Sequence, residues 1–184
     1  MKSIYIPARK GFDSSKQEFV NIEETTLKLE HSLISLKKWE QKWHVSFLDK
    51  NTQKTPEMWI DYIRCMTMNK EKIDDKVYEY MSPDTLKEII KYIEDPMTAT
   101  WFSDKGIIGA SKSKDEIVTA EIIYWWMIAL NIPVEFEKWH LNTLLTLIRV
   151  VNIKSNPKKM NAKDQALQRK QLNAARRAKH HSRG

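Results

Sequence analysis

The stretch EIIYWWMIALNIPVEFEKWH, residues 121–140, decides the predicted fold. After Glu121 the run is apolar on nearly every side, which is typical of a central helix surrounded by other elements. We therefore expect a helix over about residues 115–130. Pro133 cannot continue that helix, and the apolar positions that follow predict a second helix over about 134–151. The two predicted helices make a helical hairpin at the centre of the fold.

Two adjacent tryptophans, Trp125 and Trp126, stand inside this run. Successive side chains on a helix point about 100° apart, so we expect one indole to fill the core and the other to reach toward a neighbouring element or subunit. Tryptophans that stack on single-stranded nucleic acid need lysine or arginine nearby, and none lies within several residues of this pair. Core packing is therefore the favoured role for the seven tryptophans, which are Trp39, Trp43, Trp59, Trp101, Trp125, Trp126 and Trp139.

Upstream of this stretch, the predicted structure changes from strands to helices near Ser32. The alternation of apolar side chains over residues 25–29 is typical of a half-buried strand, and we expect a small β-hairpin or meander over about 3–30. The first helix is predicted over about 32–43, with Ser32 as its N-cap. Its apolar stripe consists of Leu33, Leu36, Trp39 and Trp43.

Two further helix starts carry a capping hydroxyl followed by proline. These are the Thr-Pro pair at 55–56 and the Ser-Pro pair at 82–83, in which the proline falls in the first turn, where its missing N–H does no harm. A short helix is expected between them over 77–81. Residues 98–114 hold two of the four glycines of the chain and predict an exposed loop.

The positive charge of the chain is concentrated in its last residues. Of a net charge of +7, residues 154–184 hold ten Lys and Arg side chains against the single acid Asp164, whereas residues 1–153 hold 21 basic and 23 acidic groups. We expect a helical domain over 1–153 and a basic C-terminal helical tail over 154–184. Nucleic-acid binding, docking on an acidic partner helix and simple solvation all fit the charge of this tail.

Glu135, Glu137 and His140 have a spacing that iron-binding helical bundles use. A Glu-x-x-His pair on one helix belongs to di-iron sites, but these sites need a second such helix and further inward glutamates, which the chain does not offer. We therefore expect the three side chains to serve as capping and interface residues of the last core helix. The two glutamates lie near its positive end.

No other motif predicts catalysis or cofactor binding. His31 and His44 lack cysteine or carboxylate partners at ligand spacing, and Cys65 has no neighbouring histidine. Gly106 and Gly109 do not form a phosphate-binding loop, because the Gly-Lys-Ser/Thr string and a preceding buried strand are both missing. We expect no enzymatic activity, no metal and no cofactor.

The composition predicts a folded protein of the cytoplasm. A hydrophobic content of 41% and a charged content of 30% are globular values. The longest apolar run covers 122–130, well short of the roughly 20 residues that a membrane helix needs. We therefore expect no membrane contact, and a single cysteine leaves no intramolecular disulfide to form.

Five long strings of the sequence together resemble a family of tail assembly chaperones found in long-tailed, siphovirus-type bacteriophages and prophages. They are LEHSLISLKKWEQKW (29–43), IDYIRCMT (60–67), PMTATWFSDKG (96–106), AEIIYWWMIALNIPVEFEKWHLNTLLTLIRV (120–150) and LNAARRAKHHSRG (172–184). The resemblance implies a helper without enzymatic activity that acts in the host cytoplasm. It would bind the phage tape-measure protein, keep it soluble and leave as tail tube subunits polymerise around it.

Partner contacts are expected from exposed apolar positions and from the basic tail. The candidates are Trp39, Trp43, Trp125, Trp126, Trp139, Arg169, Lys170, Arg176 and Arg177. Besides the tape-measure protein, the tail tube protein and further copies of the chain itself are expected partners. One alternative is a virion structural component, such as a neck or tail-completion protein. Another is a nucleic-acid-binding regulator that uses residues 154–184, although nucleic acid is not the expected partner.

Overall fold

The computed structural model describes residues 1–13, 16–100, 102 and 117–155. Within these ranges the elements, in chain order, are the strands β1 (Lys2–Ile6), β2 (Arg9–Asp13), β3 (Glu18–Ile22) and β4 (Thr25–Leu29), the helices α1 (Leu33–Trp43), α2 (Pro56–Met66), α3 (Asp75–Glu79), α4 (Pro83–Glu94) and α5 (Ala120–Ala129), a 3-10 helix (Val134–Lys138) and α6 (Leu141–Ser155). The prediction of a mainly α-helical fold with a small N-terminal β element is confirmed. The basic side chains Arg169, Lys170, Arg176 and Arg177, and most of the predicted 98–114 loop, lie outside the described residues.

The four strands form one long antiparallel hairpin that is interrupted at Pro7. β1 pairs with β4 and β2 pairs with β3, and the pairs Ile6–Thr25 and Arg9–Ile22 keep the two ladders in a common register. Pro7 has no N–H to donate to the ladder, and the hairpin divides into two two-stranded sheets at this point. One face is buried and apolar, formed by Ile4, Ile6, Val20, Ile22, Leu27 and Leu29.

The chain that leaves α2 covers the outer edge of β4. The backbone N–H of Met68 donates to the Lys28 carbonyl at 2.7 Å. The Asn69 side chain then makes the hydrogen bonds that the backbone of a neighbouring strand would make. Its Oδ1 accepts from the Lys28 N–H and its Nδ2 donates to the Thr26 carbonyl, both at 2.8 Å. Pairing of this edge satisfies backbone groups that an open strand would leave free.

The centre of the core is an aromatic cluster between α1 and α2. Phe47 and Tyr62 stack with ring centroids 3.8 Å apart, and Trp39 meets the Phe47 ring edge-on at 5.1 Å. The Trp39 indole is fully buried and donates to the Met58 carbonyl at 2.8 Å. The predicted first helix and its Ser32 cap are confirmed. These contacts explain why α1 and α2, rather than a hairpin of residues 115–151, hold the middle of the fold.

The predicted helical hairpin of residues 115–151 is wrong. Residues 117–119 are not helical, so α5 begins at Ala120, and it packs chiefly against α1 rather than α6. The helix expected over 134–151 is also divided: a 3-10 helix ends at Lys138, and α6 begins at Leu141.

Tertiary hydrogen bonds explain the division of that helix. The Leu141 N–H donates to the His31 carbonyl at 2.8 Å, whereas a continuous helix would direct it to the residue four positions earlier. The His140 ring lies with its Nε2 3.0 Å from the Tyr92 carbonyl oxygen. Between the two helices Trp139 is extended, with ψ of 158°. Contacts with α4 and with the start of α1 thus override the helical pattern of the local sequence.

Candidate partner-binding surface

The N-terminus of α5 is fixed by a carboxylate from another helix. Glu40 on α1 is buried, and its two oxygens accept from the backbone N–H groups of Phe47 at 2.9 Å and Ala120 at 2.7 Å. Ser46 adds a bond from its hydroxyl to the Val118 carbonyl at 2.6 Å. Burial raises the pKa of Glu40, while the two N–H donors act in the opposite direction. The first turn of α5 is therefore joined to α1 by hydrogen bonds.

Of the two adjacent tryptophans of α5, one is buried in the core and the other is exposed to solvent. Trp126 is only 9% exposed and packs in the core beside Ile123 and Met127, whereas Trp125 is 63% exposed. The expectation that one indole fills the core is confirmed, and the contact of the other indole with a neighbouring subunit stays a prediction. The expectation of a helix surrounded on all sides is wrong, because Ile128, one turn beyond Trp125, is 71% exposed.

The chain after α5 also carries exposed apolar side chains. Asn131 adopts a left-handed conformation, with φ of 53°, and the Ile132 N–H closes the turn on the Met127 carbonyl. In the 3-10 helix that follows, Val134 is exposed, and Phe136 stacks on Trp139 with ring centroids 4.0 Å apart. We name as the aromatic surface the exposed apolar side chains of this region, which are Trp125, Ile128, Val134 and Trp139.

One hydrogen bond ties the 3-10 helix to α5. The Tyr124 hydroxyl donates to Glu137 Oε2 at 2.6 Å. Burial and this carboxylate raise the pKa of Tyr124, so the tyrosine stays protonated and can donate. The Lys37 ammonium lies 5.4 Å from the centroid of the same ring, and α1 supports this region from beneath. The aromatic surface is thus presented on two short elements that are joined to each other and to α1.

The other predicted aromatic contacts have structural roles. Trp39 and Trp126 are buried, and a partner cannot reach them without opening the core. Trp43 is half-buried and donates from Nε1 to Asp61 Oδ2 at 2.9 Å, beside the ion pair between Lys42 and the same carboxylate. Of the predicted tryptophans, Trp125 and Trp139 are the ones that the structure places on the surface.

The three side chains with the di-iron spacing point to different places. Glu135 is exposed, Glu137 accepts from Tyr124, and His140 lies against the Tyr92 carbonyl. Within the described ranges no three His, Cys, Asp or Glu side chains are grouped closely enough to hold a metal ion. The roles of Glu137 and His140 are in contacts between elements.

Two histidines, the buried His31 and the half-buried His140, join the starts of α1 and α6. His31 Nδ1 and the Tyr62 hydroxyl are 2.6 Å apart, and the His31 and His140 rings meet edge-on at 5.0 Å. Burial, followed by the neighbouring His140, lowers the pKa of His31 to about 3. Burial also lowers the pKa of His140. Both rings are therefore neutral near pH 7 and act as packing groups with polar edges.

An apolar groove between α2 and α4 was not predicted as a surface. Its volume is about 320 Å³, and its lining is formed by Lys54, Pro56, Trp59, Ile60, Ile63, Leu86, Ile89, Ile90 and Ile93. The i, i+3, i+4, i+7 spacing on both helices is visible in the sequence. That spacing alone cannot distinguish a face covered by the protein core from one that remains partly open.

Comparison of the chain with protein-family models, curated proteins and solved structures finds no match. In the part of the chain that the structure describes, every helix is too short or too polar to cross a bilayer.

Proposed function

We propose that the chain is a bacteriophage tail assembly chaperone that binds the tape-measure protein and keeps it soluble while the tail tube assembles. The proposal combines the family resemblance of the sequence with one structural observation. That observation is the solvent exposure of Trp125 and Ile128 on a helix whose start is fixed by Glu40. Large apolar side chains grouped on a rigid exposed element are typical of interaction sites.

The expected occupant of the aromatic surface is an apolar helical segment. Trp125 and Ile128 lie three residues apart on α5, so they form one stripe that fits the apolar face of a second helix. Covering both side chains would contribute on the order of 5 kcal/mol before the cost of association is subtracted. A contact of this size is weak for one copy but strong for many copies along an extended partner, and it still permits displacement by tube subunits.

The setting of this function is the host cytoplasm during tail assembly. Several copies of the chain would coat one tape-measure protein, with contacts between copies and with the incoming tail tube protein. The basic tail would add attraction to acidic segments of the partner through Arg169, Lys170, Arg176 and Arg177. No catalytic step and no cofactor are part of the proposal.

Co-expression with the tape-measure protein of the same phage tests the proposal. We expect the tape-measure protein to stay in the supernatant with the wild-type chain and to sediment with the double variant Trp125→Ser/Ile128→Ser. Phe19→Ser is the matched control, because Phe19 is an apolar side chain of β3 that is 75% exposed. Equal sedimentation with and without the wild-type chain would contradict the proposal. Abundant copies of the chain in purified virions, measured by mass spectrometry, would favour a neck or tail-completion protein instead.

A further inference from the structure

The groove between α2 and α4 is built from two matching helical ridges. On α2 the ridge is formed by Pro56, Trp59, Ile60 and Ile63, and on α4 by Leu86, Ile89, Ile90 and Ile93. Ile63, Ile89 and Ile93 are buried and form the floor. The wall residues remain partly in contact with water, and Ile90 is 39% exposed. An apolar cleft with a buried floor and partly solvent-exposed walls is the kind of site that amphipathic helices bind.

The dimensions of the groove suit a short helical segment. Its α4 wall runs from Leu86 to Ile93, two helical turns or about 10 Å. An amphipathic helix presents side chains i, i+4 and i+7 over this length, and about 320 Å³ accommodates two or three large apolar side chains. An extended strand would instead direct alternate side chains away from the cleft.

One cation lies at the edge of this cleft. Lys54 Nζ donates to the Asp49 carbonyl at 3.4 Å and lies 5.1 Å from the centroid of the Phe47 ring. Among the described residues no carboxylate forms an ion pair with it. Burial lowers the pKa of Lys54, and the nearby Asp49 carboxylate acts in the opposite direction. A carboxylate brought by a partner would add a direct ion pair to these contacts.

The charges on the outer side of α4 are mixed. Lys87 and Lys91 lie one turn apart beside Ile90, in a second hollow of about 440 Å³ that Glu94 and Asp95 also line. Lys87 already contacts Asp84 at 3.3 Å. The local preference for an acidic partner therefore comes mainly from Lys54, at the α2 side of the cleft.

We propose that the groove between α2 and α4 docks an amphipathic helix of another protein, which inserts apolar side chains at i, i+4 and i+7 and sets a carboxylate beside Lys54. The site is separate from the aromatic surface, and the proposal does not depend on the chaperone function. The two surfaces share no residue, so the two proposals can be tested, and can fail, independently.

Titration with a designed peptide tests this docking site. The probe is a helical peptide with leucines at i, i+4 and i+7 and glutamates flanking them, and its control has lysines in place of the glutamates. We expect the full chain to bind the glutamate peptide at least about tenfold more tightly, measured by isothermal titration calorimetry. Equal affinity for the two peptides, or no binding of either, would overturn the proposal.

Two variants test whether the peptide binds in the groove. Ile90→Ser should weaken binding of the glutamate peptide about tenfold, and Lys54→Glu should reverse the preference between the two peptides. Both side chains keep solvent contact, and far-UV circular dichroism checks that each variant is folded. Phe19→Ser, at a side chain of β3 that is 75% exposed and lies in neither proposed surface, is the control for apolar exposure and should bind as the wild type does. If Ile90→Ser or Lys54→Glu leaves the affinities unchanged, the peptide binds elsewhere and the inference is wrong.

Discussion

The Glu40 carboxylate accepts a hydrogen bond of 2.7 Å from the backbone N–H of Ala120, the first residue of α5. The Thr119 side chain, which occupies the N-cap position, makes no capping hydrogen bond. A buried acid from α1 therefore caps α5 in place of a local residue, and its negative charge lies at the positive end of the helix. The position of the aromatic surface thus depends on a contact between helices that are distant in sequence.

Glu40→Gln should destabilise the fold although it preserves the shape of the side chain. The amide has one oxygen where the carboxylate has two, so one of the N–H groups of Phe47 and Ala120 would face an NH₂ donor. We expect a loss of about 1–3 kcal/mol in the free energy of unfolding, measured by urea denaturation. Glu23→Gln, at an exposed position of the hairpin, is the control and should change it by less than about 0.5 kcal/mol. Equal stability of wild type and Glu40→Gln would show that these two bonds contribute little.

The adjacent tryptophans of α5 should respond to substitution in opposite ways. Trp126→Ala removes a buried indole and should cost about 3–5 kcal/mol in urea denaturation. Trp125→Ala should change the free energy of unfolding by less than about 0.5 kcal/mol, since most of its side chain is in water. If Trp125→Ala is as costly as Trp126→Ala, the exposed indole is covered by protein in solution.

Much of the fold follows from local patterns in the sequence. The Ser32 cap, the Thr55-Pro56 start and the Ser82-Pro83 start all appear at the predicted positions, because capping is decided by a few neighbouring residues. The N-terminal hairpin likewise follows from alternation. The region around Trp139 does not follow from local patterns. The break between the 3-10 helix and α6 depends on tertiary hydrogen bonds to the carbonyl groups of His31 and Tyr92.

The candidate surfaces could be predicted only in part. The angle between adjacent helical side chains predicted that Trp125 and Trp126 would face different environments, but not which of them would be buried. The choice depends on how α5 packs against α1. The buried Glu40 joins the start of α5 to α1, and no local pattern indicates its burial. The groove was missed for a related reason. The helical spacing of apolar residues that includes Ile60 on α2 and Ile90 on α4 is the same whether the helix face is covered by protein or partly open to solvent.

The buried His31 should make the protein sensitive to acid. Unfolded histidine takes up a proton near pH 6.5, whereas the folded protein keeps His31 neutral down to about pH 3. Between these values the unfolded state binds more protons, so the free energy of unfolding falls as the pH falls through this window. At about 1.4 kcal/mol per pKa unit, the full loss is on the order of 5 kcal/mol. His140, whose pKa is also lowered, acts in the same direction.

Urea denaturation between pH 4 and 8, roughly the range in which histidine titrates, measures this effect. His31→Asn should flatten the dependence of the free energy of unfolding on pH, even if the variant is less stable at every pH. His44→Asn is the matched control, because His44 is exposed and its left-handed backbone, with φ of 54°, suits asparagine. Parallel pH curves for wild type and His31→Asn would contradict the assignment to His31.

Site-specific photocrosslinking tests the central claim most directly. A benzophenone amino acid placed at Ile128, in cells that also express the tape-measure protein, reports which protein covers that position. We predict a crosslink to the tape-measure protein from Ile128 and none from Phe19, which is exposed on the hairpin. Crosslinks of equal yield from both positions, or none from Ile128 while the two proteins copurify, would contradict binding through the aromatic surface.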